Sequence, residues 1–295
     1  MPKKSLLFIN GKKNEAKILG ASITAILEKR GWETASYSFE DKDQSCKVSS
    51  CDIGLSLGGD GTVLYAARIL APLNIPILPL NLGTLGFISP VPPGEWQTAF
   101  GEWEAGNAAV SKRLMLEVKV ERKGECVFHG YCLNDVVVSA SGIAKLIRLE
   151  VETLTGKGTC IPLGRFRADG LIVATPTGST GYSVAAGGPI IDPEMEAVII
   201  NPICPFTLSN RPLTIPAGEC VNVWVEEDQR SEVLLTVDGQ IKKPLKTGDI
   251  IHIKKAAFSA QLVACNREIF YRALTTKLGW SGGTVHASYS GGSDA

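Results

Sequence analysis

One carboxylate stands inside a turn built largely of glycine, Gly58-Gly59-Asp60-Gly61-Thr62. Gly58, Gly59 and Gly61 lack the Cβ atoms that would hold a phosphate at a distance. A short apolar run, Ile53 to Leu57, precedes the turn, and a helix-like stretch, Val63 to Leu70, comes after it. Strand, loop and helix start in that order aim backbone N–H groups at an anion, so Gly58, Gly59, Gly61 and Thr62 read as a phosphate-binding loop. Asp60 needs a separate reason, because a carboxylate repels phosphate. Two roles are open to it: holding Mg²⁺, or accepting a proton from a hydroxyl nucleophile. The turn therefore reads as a site of phosphoryl transfer to an alcohol. Taken alone, it equally fits a Gly-Asp turn that closes an αβ unit.

Four further stretches carry usable chemistry. Asn81-Leu82-Gly83-Thr84-Leu85-Gly86-Phe87 is a second glycine turn. Two such turns at the ends of adjacent strands face one crevice. Asn134-Asp135 precedes three valines and offers both hydrogen-bond senses, enough for a carboxamide or a sugar diol. It also fits a turn entering a strand. Arg167-Ala168-Asp169-Gly170 leads through an apolar run into Pro176-Thr177-Gly178-Ser179-Thr180-Gly181-Tyr182-Ser183. Those hydroxyls, glycines and one ring suit ribose, phosphate and a flat base, or else a flexible hairpin tip. Val237-Asp238-Gly239-Gln240 is first of all a hairpin signal.

The elements that must position these residues change character along the chain. In the first third, Leu6 to Ile9 reads as a buried strand. Leu19, Ile23, Ile26 and Leu27 recur at helical spacing, with Gly31 at the C-cap. Trp32 to Phe39 is a second strand, and a polar stretch runs from Glu40 to Ser50. Ile75 to Leu80 contains Pro76 and Pro79, which suggests an edge strand. Trp96, Phe100 and Trp103 share one helix face, and Gly106 marks a boundary. From Leu116 the period becomes two, with strands expected at 116–121, 126–132, 136–139, 146–154, 171–175, 221–226, 233–237 and 250–254. The segment 187–193 holds too many breakers for a helix, 269–280 reads as an apolar helix, and 281–295 is Gly/Ser-rich. The organisation is an α/β N-terminal Rossmann-like domain, residues 1–105, plus an all-β sandwich-like C-terminal domain, residues 106–265. The end of the chain is apolar enough to dock on a domain.

Composition narrows the partners. The 295 residues carry 30 basic and 30 acidic side chains, and the basic ones come in pairs rather than a stripe. A nucleic-acid backbone is therefore excluded as the main partner. No apolar run approaches the roughly 20 residues that span a bilayer, and Leu6 to Ile9 is too short for a signal peptide. Eight scattered cysteines without a C-x-x-C pair fit a reducing cytoplasm. With three histidines and no paired ligand motif, acid–base work falls to carboxylates. Neither G-x-x-x-x-G-K-[ST] nor G-x-G-x-x-G occurs, so neither a P-loop kinase nor an ordinary dinucleotide fold is indicated.

Together these motifs resemble the NAD kinases. Gly58 to Thr62, Asn81-x-Gly83-x-x-Gly86-Phe87, Asn134-Asp135, Asp169-Gly170 with Thr175 to Tyr182, Arg211-Pro212-Leu213 and Lys277-Leu278-Gly279-Trp280 stand in the family's order, across roughly residues 5–280. The resemblance implies transfer of the γ-phosphoryl of ATP to the 2′-hydroxyl of the adenosine ribose of NAD, giving NADP, with Mg²⁺ or another divalent metal. It implies that Asp60 is the catalytic proton acceptor, with Gly61 beside it, and that Phe87 approaches the adenine. Asn134 and Asp135 then contact the adenosine ribose or, across a subunit boundary, the nicotinamide end. Lys145, Arg167, Asp169, Thr177, Thr180, Gly181, Tyr182, Ser183, Val184, Ala185 and Gln240 fall where the family contacts substrate. The resemblance also implies that the segment 266–295 returns to pack on the first domain, and that the protein is a homodimer or homotetramer. Phe206 follows Cys204-Pro205 where many relatives have His, and Gly181 stands where others have Ala. A lipid or sugar kinase with the same glycine turn is the alternative, disfavoured by the long Thr/Ser/Gly insertion.

Overall fold

The computed structural model describes residues 2–40, 48, 50–83, 86–142, 145–207, 209–229 and 231–279. Most of the polar stretch after Glu40, Thr84 and Leu85 of the second glycine turn, Trp280 and the 281–295 tail lie outside the described residues.

The first lobe is a parallel sheet with helices on both faces. Strands β1 (Lys4–Asn10), β2 (Glu33–Phe39), β3 (Ile53–Gly58) and β4 (Ile77–Asn81) lie in the order β2-β1-β3-β4. Alternation along β1 assigns the faces. Leu7 and Ile9 join the core under helices α1 (Asn14–Lys29) and α3 (Trp96–Glu104), where Trp96 and Phe100 are buried. Leu6 and Phe8 face helix α2 (Asp60–Leu70) on the other side. Gly54 lets α2 settle closely: a Cβ there would lie 2.1 Å from Leu70 Cδ1.

The remaining strands are β5 (Val110–Arg122), β6 (Glu125–Cys132), β7 (Asp135–Ala140), β8 (Ile147–Leu154), β9 (Cys160–Ala168), β10 (Gly170–Ala174), β11 (Ala197–Ile203), β12 (Leu213–Pro216), β13 (Cys220–Val225), β14 (Val233–Val237), β15 (Ile241–Leu245) and β16 (Ile250–Val263). A six-stranded antiparallel sheet, β12-β11-β10-β7-β14-β15, packs on the sheet containing β5, β8, β13 and β16. Leu116 and Val118 of β5 meet Val136 and Val138 of β7 in the shared core. The expected α/β plus β-sandwich architecture is the one observed.

Several expectations change: β9, β11, β12 and β15 are additional strands, and β5 begins six residues before the expected 116. The proline-bearing β4 is not an edge strand, since it lies between β3 and β16. Asn81 N donates away from β3 to Val91, while Leu82 N donates to Gly58 of β3. By that parity, the missing donor of Pro79 falls on the side where β16 pairs only at Leu262↔Ile77, so no ladder bond is lost. Strand β16 also runs nine residues past its expected end at 254, bending between Lys255 and Ser259 where its register to β5 shifts. It thereby joins the parallel and antiparallel sheets into one. Helix α5 (Arg267–Leu278) comes next, capped by Asn266 Oδ1 on Ile269 N at 2.9 Å. Among the described residues, no helix is long and apolar enough to cross a membrane.

Candidate functional site

The two glycine turns meet as expected. Gly58 pairs with Asn81 at the ends of β3 and β4, and Leu82 N donates to Gly58 O at 2.6 Å. Gly59, extended, is the N-cap of α2, and Asp60 is its first residue. Thr62 and Val63 donate to Gly59 O. The amides of Asp60 and Gly61 precede any intrahelical acceptor, and the helix dipole adds positive potential there. Gly58 is required by Thr62, whose Oγ1 lies 2.1 Å from where a Cβ would sit.

The second turn orients Asp60. Its Oδ1 accepts from Ser89 Oγ at 2.6 Å and its Oδ2 from the Phe87 amide at 3.1 Å. Gly86 leaves room for this: a Cβ would stand 2.0 Å from Asp60 Oδ1 and 2.2 Å from Ser89 Oγ. A carboxylate offers about four lone-pair sites, so two remain for a substrate. The Phe87 ring lies 5.9 Å from that of Phe270 on α5, with Lys277 Nζ 5.3 Å away. Lys13, at the head of α1, sends Nζ to Leu82 O at 2.8 Å and brings a cation beside both turns.

The β-domain reaches this loop directly. Gln240 Nε2 donates to Gly61 O at 2.7 Å. Asn134, Asp135 and the Thr175–Ala185 segment stand at the same end of the six-stranded sheet. Thr175 N donates to Asn134 O, and Thr175 Oγ1 to Leu133 O. The Thr/Ser/Gly stretch is no open hairpin tip. Thr177–Thr180 is a single 3₁₀ turn, followed by one helical turn, α4 (Tyr182–Ala185), with Thr177, Gly178, Ser179 and Ser183 buried. Gly178 sits against the Asn134 backbone, where a Cβ would be 2.1 Å from its carbonyl oxygen. Gly181 brings its Cα side within 3.3 Å of Asn134 Nδ2 and 3.8 Å of Asp135 Oδ2, measured from an added Cβ. Thr180, Gly181 and Val184 are half-buried, and Tyr182 and Ala185 are exposed.

Asn134 Oδ1 and Thr177 Oγ1 are buried without a hydrogen-bond partner, so this end of the sheet presents unused polar atoms. Burial, and secondarily the charge of Asp238, push the Asp135 carboxyl up to about 7. Among the described residues no group of three or more His, Cys, Asp or Glu could hold a metal ion. A divalent cation here fits as one carried by phosphate oxygens, the habit of Mg²⁺ at nucleotide sites, with Asp60 the carboxylate at hand.

Three expected contacts lie elsewhere. Asp169 stands beside Ala140, which donates to its carbonyl at 3.0 Å, whereas Asp135 pairs with Ala174 at the other end of β10. A five-residue strand separates the two ends, roughly 17 Å. Arg167, exposed, lies over the Phe206 ring at 5.0 Å on that far side. Lys145 follows the far end of β7 and lines a cavity of about 510 Å³ with Ser141, Gln229, Glu232 and Thr247. The structure thus gathers Asp60, Gly61, Asn134, Asp135, Thr177, Thr180–Ala185 and Gln240, and leaves Lys145, Arg167 and Asp169 apart. Ser89, Lys13 and Arg68 are additional residues at the near site. None had a local signature, since each meets its partner across a long stretch of chain.

Comparison with known proteins agrees with this architecture. The ATP-NAD kinase N-terminal domain model matches residues 8–107, and the ATP-NAD kinase C-terminal domain model matches residues 133–265. The NAD kinase of Treponema denticola is 41% identical over 281 residues, covering 95% of this chain and 97% of that protein. The NAD kinase of Geobacter sulfurreducens is 42% identical over 229 residues, 78% of each chain. Among solved structures, yeast NADH kinase complexed with NADH aligns with a TM-score of 0.79 at 25% identity, covering 96% of this chain and 89% of that one. An NAD kinase from Archaeoglobus fulgidus in complex with ATP aligns with a TM-score of 0.71, also at 25% identity, over 94% of this chain and 98% of that one. With both lobes matched and relatives this similar along nearly its whole length, the chain belongs to the ATP-NAD kinase family and is an ATP-dependent phosphotransferase acting on NAD.

Proposed function

We propose that Asp60 accepts the proton of the adenosine-ribose 2′-hydroxyl of NAD as the γ-phosphoryl of ATP moves onto that oxygen. The observation that carries this reading is the carboxylate's setting. Ser89 and the Phe87 amide aim it at the head of α2, and two of its lone-pair sites stay open. A secondary alcohol is a poor nucleophile at neutral pH, and phosphoryl transfer is mostly positioning and charge neutralisation. The amides of Gly59 to Gly61 and the ammonium of Lys13 supply that positive potential from the protein. A divalent cation carried on the triphosphate would neutralise the phosphate oxygens further, and Asp60 would be the protein carboxylate available to help hold it.

Asn134, Asp135 and the Thr177–Ala185 segment hold the dinucleotide at the near end of the sandwich, where Asn134 Oδ1 and Thr177 Oγ1 await donors. Phe87 serves the adenine. In this reading the lobe of residues 1–105, with the segment that begins at 266, is the nucleotide-binding domain that supplies Asp60, Gly61 and Phe87, and the lobe of residues 106–265 is the NAD-binding domain. Lys145, Arg167 and Asp169 lie too far to touch the same ligand end. They reach a dinucleotide held by a second copy, which makes the enzyme a homodimer or homotetramer. The scattered thiols suit a reducing cytoplasm as its compartment.

Incubation with ATP, Mg²⁺ and NAD should yield NADP, and lipid or sugar acceptors should yield no phosphorylated product. The reverse pattern would favour a lipid or sugar kinase. Asp169→Ala should weaken NAD binding more than ATP binding by calorimetric titration, and equal losses would remove it from the NAD site.

A further inference from the structure

The turn between β14 and β15 does more than reverse the chain. Asp238 and Gly239 have φ of +52° and +64°, and Gln240 N donates to Val237 O at 2.9 Å. These are the features of a type I′ hairpin turn, which Asn or Gly would form as well. The carboxylate is therefore not explained by the turn. It is fully buried, and it accepts from the amides of Leu133 at 3.1 Å, Asn134 at 2.8 Å and Asp135 at 3.3 Å. Its fourth donor is Arg68 Nη1 at 3.2 Å, from the last turn of α2.

Arg68 stands seven residues after Gly61, so the two share one side of the helix. Helical side chains lean toward the N-terminus, which brings the guanidinium 5.7 Å from the Tyr65 ring centroid and its Nη2 to Gln240 Oε1. The Gln240 amide continues to Gly61 O. A chain of bonds thus runs from the residue beside Asp60, through Gln240 and Arg68, to the carboxylate that holds the Asn134–Asp135 backbone. Both oxygens of Asp238 and both ends of the Gln240 amide are engaged, and the planar guanidinium fixes the angle between them.

We propose that Arg68 and Asp238 are positioning residues: their buried ion pair, relayed by Gln240 to the Gly61 carbonyl, sets the placement of Asp60 relative to Asn134 and Asp135. The inference rests on the reading of those three as the site. It assigns Gln240 a bridging place between the lobes, beside any contact it makes with substrate. It also has a titration signature. Asp135 faces Asp238 from the hairpin turn and the Cys132 thiol from β6, and Arg68 of α2 acts on that thiol and on Asp238. Removing the Asp238 charge takes away the repulsion that helps raise the Asp135 carboxyl.

The test compares Arg68→Gln, Arg68→Lys, Asp238→Asn and the Arg68→Gln/Asp238→Asn double variant. Each is assayed for kcat and for KM toward ATP and NAD, from about pH 5 to about pH 9, beside thermal melts. Misplacement by about 1 Å can cost on the order of 10²-fold, so kcat of Arg68→Gln should fall about 10- to 100-fold with KM for ATP little changed. Asp238→Asn should move the acid limb of kcat/KM for NAD to lower pH. The double variant should be no slower than the slower single variant, since the two act as one unit. Arg68→Lys should recover part of kcat, and it carries the test where Asp238→Asn does not fold. Folded variants that melt lower yet keep wild-type kcat and an unmoved acid limb would overturn the proposal. Failure of Asp60 as proton acceptor would be seen separately: Asp60→Asn would stay active while the Arg68–Asp238 coupling persisted.

Discussion

Of the chain's three Asp-Gly dipeptides, Asp60-Gly61 in the first lobe and Asp238-Gly239 in the second do opposite things. Asp60-Gly61 opens a helix, whereas Asp238-Gly239 folds back in a left-handed turn. The next residues in each lobe decide between these outcomes. Apart from Arg68, Val63 to Leu70 is apolar and must bury a helix face, while Ile241-Lys242-Lys243 puts charge on an exposed edge strand. The carboxylates then diverge. Asp60 is half-buried with one hydroxyl and one amide as donors, and it keeps room for a substrate. Asp238 is wholly buried and satisfied by three amides and an arginine. A carboxylate used for chemistry retains acceptor capacity, and one used for architecture is saturated.

That contrast is sharpest if Asp60 itself is changed. General-base help is worth about 10²–10⁴-fold, so Asp60→Asn should lose at least that much kcat while melting like the wild type. Near wild-type turnover in a folded protein would remove it from its role. Gly86→Ala comes next. The added methyl would collide with both Asp60 Oδ1 and Ser89 Oγ, so the carboxylate must turn away, and kcat should fall about 10²-fold. Unchanged kcat would mean that the aim set by Ser89 is immaterial.

Asp135 gives an effect on stability instead. Its folded pKa of about 7 lies above the ordinary carboxylate value of 3.8. Between those values the native state binds more protons than the unfolded one, so its contribution to stability is lost as pH rises through that window. The shift corresponds to at most about 4 kcal/mol. Asp135→Asn, neutral throughout, should melt above the wild type at about pH 8, with the gap closing near pH 5. A pH-independent difference would contradict the burial argument. The smallest expected effect is that of Ser89→Ala. It leaves the Phe87 amide in place and should lower kcat only about 3- to 10-fold, one hydrogen bond's worth.

Much of the site was readable from sequence because its signals are local. Glycines that admit a close neighbour reveal themselves by identity, and both glycine turns lie where their spacing puts them. Alternation exposed most of the sandwich. It failed for β11, buried on both faces and therefore without alternation, for β9, interrupted by Pro162 and Gly164, and for the short proline-bearing β12 and β15. The Thr175–Ser183 stretch looked like a flexible tip because its composition is polar. It is buried because the Thr175 hydroxyl and Gly178 dock on the Leu133-Asn134 backbone just before β7. Ser89, Lys13 and Arg68 were not readable. They meet Asp60, Leu82 and Asp238 across 29, 69 and 170 residues respectively, and only the tertiary fold makes them neighbours.

The most direct test of the central claim is a crystal structure of the protein with NAD bound. The 2′-oxygen of the adenosine ribose should lie within hydrogen-bond reach of the Asp60 carboxylate, about 2.6–3.2 Å. A dinucleotide whose 2′-oxygen lies farther from Asp60 than one bridging water can span would contradict it.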